Sequence, residues 1–199
     1  MKEMIKNAGI LLAITVIAGF ILGATYQITK DPIAQAKEAA TMAAYKEVFA
    51  DAADFMELDV NEDALAGGGI TGSSIDNVLE ALGNDGSLLG YVLVVTTHEG
   101  YGGDIQFSMG ITNDGTTNGI SILSIAETPG LGMEAENVLK PQYAGKNVTQ
   151  FTVTKTGAVS DEQIDAISGA TITSDAVTDA VNAGLYYFQN VLGGGTANE

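Results

Sequence analysis

Apolar positions along this chain change period twice. From Ala8 to Ile28 they are almost continuous, AGILLAITVIAGFILGATYQI, 21 residues without a charge. At about 1.5 Å per residue a helix of this length covers about 30 Å, the thickness of bilayer hydrocarbon. Lys2, Lys6 and the amino terminus precede the run, while Lys30 and Asp31 follow it and cancel. That bias puts the N-terminus in the cytoplasm and everything after Lys30 outside. Gly23 and Ala24 leave a cleaved signal sequence as the alternative, but the run exceeds a signal core of about 7–15 residues. Residues 1–30 therefore read as a retained membrane anchor, with Asp31-Pro32 breaking the span.

The stretch from Pro32 to Leu58 is alanine-rich, and Tyr45, Val48, Phe49, Ala52 and Met56 make one helical stripe. Gly67, Gly68, Gly69 and Gly72 mark a connector, and Ser74 to Leu82 reads as a short helix capped by Ser74. Residues 31–86 are thus a helical stalk and connector. From Leu88 the period becomes that of strands. LLGYVLVVTT is nearly all apolar and so central. DIQFSMGIT places Ile105, Phe107, Met109 and Ile111 on one face, and Asn113-Asp114-Gly115 is a hairpin signal. Gly119–Ala126 and Asn147–Lys155 supply further strands. Ala176, Val177, Ala180, Val181, Gly184, Leu185, Phe188 and Leu192 stripe a last helix, halted by Gly193-Gly194-Gly195. The expected class is α+β: an antiparallel meander sheet with helices on one side, over residues 87–192, a loose tail at 193–199, and one N-terminal transmembrane helix in front.

Composition narrows the chemistry. There are 25 acidic against 8 basic residues, a formal charge of −17, and every basic residue is a lysine. Without arginine and with this charge, nucleic-acid binding is all but excluded. No cysteine means no disulfide, thiolate nucleophile, zinc-thiolate site or iron–sulfur cluster, and a single histidine, His98, rules out a multi-histidine metal site. Between Lys46 and Lys140 stand 16 acidic residues and no lysine, a face that stands off an anionic membrane. The acidic clusters show no calcium-loop spacing and read as solvated surface. His98 reads as solvated and partnerless, Lys155 as a surface lysine nearest the motif below, and Tyr186, Tyr187 and Phe188 as packing.

Between the last strand and the last helix lies Asp165-Ala166-Ile167-Ser168-Gly169-Ala170-Thr171-Ile172-Thr173-Ser174. One reading is an ordinary helix start, capped by Thr173 or Ser174 with Asp175 favouring the dipole. The other begins from the same physics: a helix N-terminus offers free N–H groups to an anion, and small residues at 168–170 admit a bulky group. A chain at −17 repels a freely dissociating phosphate, whereas a phosphate esterified to a threonine hydroxyl carries about one charge and cannot diffuse away.

These residues resemble the covalent flavin-attachment motif D-x-x-[ST]-G-A-T of the FMN-binding domain family found in bacterial Rnf and Na⁺-translocating NADH:quinone oxidoreductase complexes. Gly100-Tyr101-Gly102-Gly103-Asp104-Ile105 with Met109-Gly110-Ile111, Glu127-Thr128-Pro129-Gly130-Leu131-Gly132, and Asp31-Pro32-Ile33-Ala34-Gln35-Ala36 resemble the same family in the same order. The length is closer to the G subunits of Rnf complexes than to the longer C subunits of the quinone-reducing relatives. The resemblance implies covalent FMN on Thr171, placed there by a flavin transferase that recognises Asp165, Ser168, Gly169 and Ala170. It implies a phosphate hydrogen bond from Thr173, and a turn of Glu127, Thr128, Pro129, Gly130, Leu131 and Gly132 beside the flavin ring, with Gly102 and Gly103 in the same pocket. The implied role is an electron-transfer subunit at the cell membrane, partnered by other membrane and redox subunits. The whole complex couples ferredoxin oxidation and NAD⁺ reduction to Na⁺ or H⁺ translocation. A stand-alone flavin shuttle, a C-type subunit and a cofactor-free membrane-tethered binding module remain open as alternatives.

Overall fold

Helix α1 (Lys2–Val48) runs unbroken through Pro32. The expected break is absent: Pro32 removes one N–H from the ladder, and the helix continues on both sides of it. This computed structural model describes residues 1–61 and 63–193. Its contacts divide the chain into two units, Met1–Thr41 and Met42–Glu199. The first is helix alone. Its apolar stretch has a mean hydropathy of 2.3, is long enough to cross a membrane, and buries none of its side chains.

The second unit is a five-stranded antiparallel sheet in the order of the chain: β1 (Asp54–Leu58), β2 (Ser73–Leu82), β3 (Leu88–Thr97), β4 (Ile105–Thr112) and β5 (Thr117–Ser124). The central position of β3, the inward row Ile105, Phe107, Met109 and Ile111, and the turn at Asn113-Asp114-Gly115 are as the pattern predicts. Residues 74–82 are a strand and not a helix. Val78 pairs with Leu93 and Leu79 with Val92, and these buried partners outweigh the helix preference of Leu, Glu and Ala in that stretch. The stripe predicted through Met56 stops at Ala52. Met56 lies on edge strand β1 and is exposed, because a strand offers only every second residue to the interior.

Helical elements cover both faces of the sheet, not one. On one face packs α4 (Thr171–Asn190), over Leu93, Val95, Phe107 and Met109. Gly184 lets it approach closely, since a Cβ there would sit 2.8 Å from Met109 Sδ. The other face carries Tyr45, Val48, Phe49 and Ala52 from the end of α1 and the turn after it, against Leu79, Ala81, Val92 and Val94. Gly110 of β4 meets Val48 there, and Ser108 Oγ donates to the Ala44 carbonyl at 3.3 Å. Strand β3 is apolar throughout because its two alternating rows enter two different cores.

A single turn, α2 (Ala64–Gly67), precedes β2, and α3 (Ala135–Val138) follows β5 between two 3₁₀ turns at Gly132–Glu134 and Lys140–Gln142. The strand expected over 147–155 is confined to β6 (Thr152–Thr154), which pairs in parallel with β7 (Gln163–Asp165). That two-stranded sheet delivers the chain to the start of α4. Of the tail expected from residue 193, all beyond Gly193 lies outside the described residues.

Candidate functional site

Three segments far apart in sequence meet at the N-terminus of α4. Tyr101, Thr128, Leu131, Gly132, Gly169, Ala170, Thr171, Ile172 and Thr173 line an open cleft of about 520 Å³. Each wall has a local cause. Thr128-Pro129-Gly130-Leu131 is a tight turn in which the Leu131 N–H donates to the Thr128 carbonyl at 3.1 Å and Gly130 takes φ +74°. Proline second and a positive-φ glycine third are what a type II turn needs. The turn presents Leu131, 39% exposed, to the cleft. Gly169 turns at φ +80°, and a Cβ there would press on Leu131 Cδ2 at 3.1 Å.

Thr171 is the first residue of α4, half-buried at the cleft wall. The residue before it, Ala170, has no side chain able to cap, and the first helical bond runs from Ser174 N–H to the Ala170 carbonyl at 3.0 Å. The N–H groups of Thr171, Ile172 and Thr173 therefore have no partner within the helix. The cap expected from Thr173 or Ser174 is not made, because the helix begins earlier. Ser174 instead braces the loop before it: its hydroxyl accepts the Ile167 N–H and donates to the Ala170 carbonyl, both at 2.9 Å.

Glu127 ties the walls together. It is 6% exposed, accepting the Gly102 N–H on Oε1 and the Thr173 hydroxyl on Oε2, each at 2.9 Å. Gly132 closes over this pair, since a Cβ there would stand 2.6 Å from Oε2 and 2.7 Å from Thr173 Oγ1. The Thr173 hydroxyl thus donates to Glu127. Gly102 and Gly103, the latter at φ +139°, belong to the exposed 101–103 segment, and neither lines the cleft. Ser168 is exposed and also does not line it. Asp165 stands apart in β7, its carboxylate accepting the Ala158 N–H at 2.6 Å and its backbone paired with the Gln142 side chain.

Tyr101 and Ile172 line the cleft, 71% and 54% exposed, and the sequence alone assigns them no role. Their signal is an apolar side chain inside an otherwise small or polar loop motif. The surroundings are acidic. Asp179, two turns along α4, has its carboxyl held above the ordinary aspartate range by partial burial and by the negative neighbours Asp175 and Glu99. Lys155 is exposed and in none of the described ion pairs, while His98 does have a partner, Asp104, at 3.1 Å. Tyr187 and Phe188 are buried as packing, Tyr187 Oη accepting the Asn61 N–H, and a Cβ on Gly68 of the triple-glycine loop would strike the Tyr186 ring.

Comparison with known proteins places these features in a group. Residues 100–186 match the family described as FMN-binding domain, and residues 1–48 match the RnfG N-terminal region. The chain is 32% identical to the G subunit of the Na⁺-translocating ferredoxin:NAD⁺ oxidoreductase complex of Acetobacterium woodii, over 96% of this chain and 94% of that one. It is 33% identical to the G subunit of the ion-translocating oxidoreductase complex of Methanosarcina acetivorans, covering 94% and 95%. It is also 31% identical to the G subunit of the proton-translocating ferredoxin:NAD⁺ oxidoreductase complex of Clostridium ljungdahlii, covering 89% and 88%. The crystal structure of Shewanella oneidensis NqrC overlays with a TM-score of 0.48 at 19% identity, covering 71% of this chain and 70% of that one, too distant to bear on the assignment.

Proposed function

This chain belongs to the G-subunit family of Rnf-type ion-translocating oxidoreductase complexes, and from that premise we propose that it is a membrane-anchored, extracytoplasmic electron carrier holding FMN covalently on Thr171. Its place is among the other membrane and redox subunits of a complex that couples ferredoxin oxidation and NAD⁺ reduction to the movement of Na⁺ or H⁺. The apolar helix over residues 8–28 is its anchor, and the bias of Lys2 and Lys6 sets the N-terminus in the cytoplasm.

The observation that carries the reading is the position of the Thr171 hydroxyl: on a cleft wall, at the first residue of a 20-residue helix, beside backbone N–H groups with no helical acceptor. The donor set fits a phosphodiester, since those N–H groups and the helix dipole favour an anion. The walls fit an aromatic ring, since Tyr101, Leu131 and Ile172 offer exposed apolar surface around the cleft. Attachment forms one bond and breaks one: Thr171 Oγ displaces AMP from the pyrophosphate of FAD, the hydroxyl proton leaves, and FMN stays as a phosphoester. A flavin transferase supplies that step. The bound FMN supplies the redox chemistry, and the protein supplies orientation and field.

The test is the full-length chain, co-expressed with a flavin transferase and exported, run on a denaturing gel under ultraviolet light and weighed intact. The parent should fluoresce and carry one FMN. Thr171→Ala should lose all fluorescence and added mass while folding within about 1 kcal/mol of the parent, as a partly exposed position allows. A Thr171→Ala band that still fluoresces would show that attachment lies elsewhere.

A further inference from the structure

Glu127 is a buried carboxylate with no lysine or histidine partner among the described ion pairs. Isolating such a charge from water is costly unless donors replace the water. Here the donors are two, the Gly102 N–H and the Thr173 hydroxyl, helped by the positive end of α4. Glu127 does not line the cleft, yet its two partners stand in the other two walls or their loops. The glycines around it are shaped to it: a Cβ on Gly100 would come within 2.8 Å of Oε1, and one on Gly132 within 2.6 Å of Oε2. The arrangement therefore fixes a negative charge one layer behind the cleft and clamps all three segments to it.

Its polarity has a further consequence. An ionised carboxylate only accepts. Thr173 has one hydroxyl hydrogen, and Glu127 takes it. Toward the cleft Thr173 can then offer only lone pairs, and an anion at the helix start must be held by the backbone N–H groups of Thr171, Ile172 and Thr173. We propose that Glu127 is the positioning residue of this site: it assembles the cleft, sets the direction of the Thr173 hydroxyl, and holds down the reduction potential of the FMN by its charge. This rests on the FMN reading above and adds a residue that works through others, without touching the cofactor.

The experiment uses the full-length chain matured with its transferase, parent and variants side by side. The readouts are covalent flavin per chain on a gel, the fluorescence anisotropy of the native protein, and the flavin midpoint potential. Glu127→Gln keeps the volume and one acceptor but removes the charge and turns the Thr173 hydroxyl outward. It should raise the midpoint potential and lower the anisotropy, because the ring is held less firmly. Thr173→Val breaks the same link from the other end and should also lower the anisotropy, and Thr173→Ser should restore it. In the double variant the loss should be less than the sum of the single losses, since both remove one interaction. If the parent carries flavin and both Glu127→Gln and Thr173→Val match it in potential and anisotropy, Glu127 is ordinary packing and the inference falls. If neither variant accumulates folded, the pair is a folding element and the positioning role falls as well. A parent without flavin overturns the underlying reading, a result distinct from either.

Discussion

Two apolar surfaces of this chain lie open, and they are built in opposite ways. The first is carried by one helix, where Leu12, Ile14, Phe20 and Leu22 are each more than half exposed around the full circumference. A helix apolar all round suits hydrocarbon, because its backbone is satisfied internally and its side chains need no water. The second is the cleft patch of Tyr101, Leu131 and Ile172, each from a different segment and each set among glycines, threonines and a proline. It is too small for a bilayer and has polar N–H groups at its centre. A continuous surface recognises a solvent, and an assembled one recognises a molecule.

The same substitution at the two places should separate them. Leu12→Lys puts a charge within the apolar run at about 2.5–3.5 kcal/mol. It should shift the chain from the carbonate-washed membrane pellet to the supernatant. Leu131→Lys should leave the pellet unchanged and, on the FMN reading proposed above, alter the flavin fluorescence, at little cost in stability because the position is already part-exposed. Identical behaviour of the two variants in the pellet assay would erase the distinction. A smaller effect tests the assembly itself. Gly132→Ala forces a methyl against Glu127 and Thr173, and should destabilise by about 1–3 kcal/mol while lowering flavin per chain, read by thermal melting and gel fluorescence.

The smallest effect is a control on charge. A contact that belongs to neither apolar surface responds to acid. The Lys140 ammonium, first, and the Ser121 hydroxyl hold the Glu47 carboxyl below the ordinary glutamate range. A depressed carboxyl stabilises fully above its unfolded pKa of about 4.3, and that contribution is lost as pH falls through the lowered folded value. Glu47→Gln should flatten the acid limb of a plot of melting temperature against pH, by a small amount because the Glu47 carboxylate is about half exposed to screening water.

What the sequence discloses follows the same contrast. The anchor, β3, β4, the hairpin after them and α4 are visible because each is one segment with one period. Strand β2 is misread because Ser74–Leu82 carries helix-forming residues, and its strand identity comes from partners such as Leu93 and Val95. Strand β7 is three residues long, below the length at which period has meaning. At the site, Thr171 and the Pro129-Gly130 turn are legible as local motifs. The role of Glu127 is not, since it depends on where residues 102 and 173 arrive after folding.

The brace made by Ser174 gives the loop before α4 a fixed form. By gripping the Ile167 N–H and the Ala170 carbonyl with one hydroxyl, it ties the buried ends of a short loop whose Ser168-Gly169 tip faces solvent. Under the attachment proposed above, a transferase acting on Thr171 would meet a loop whose shape the fold has already set.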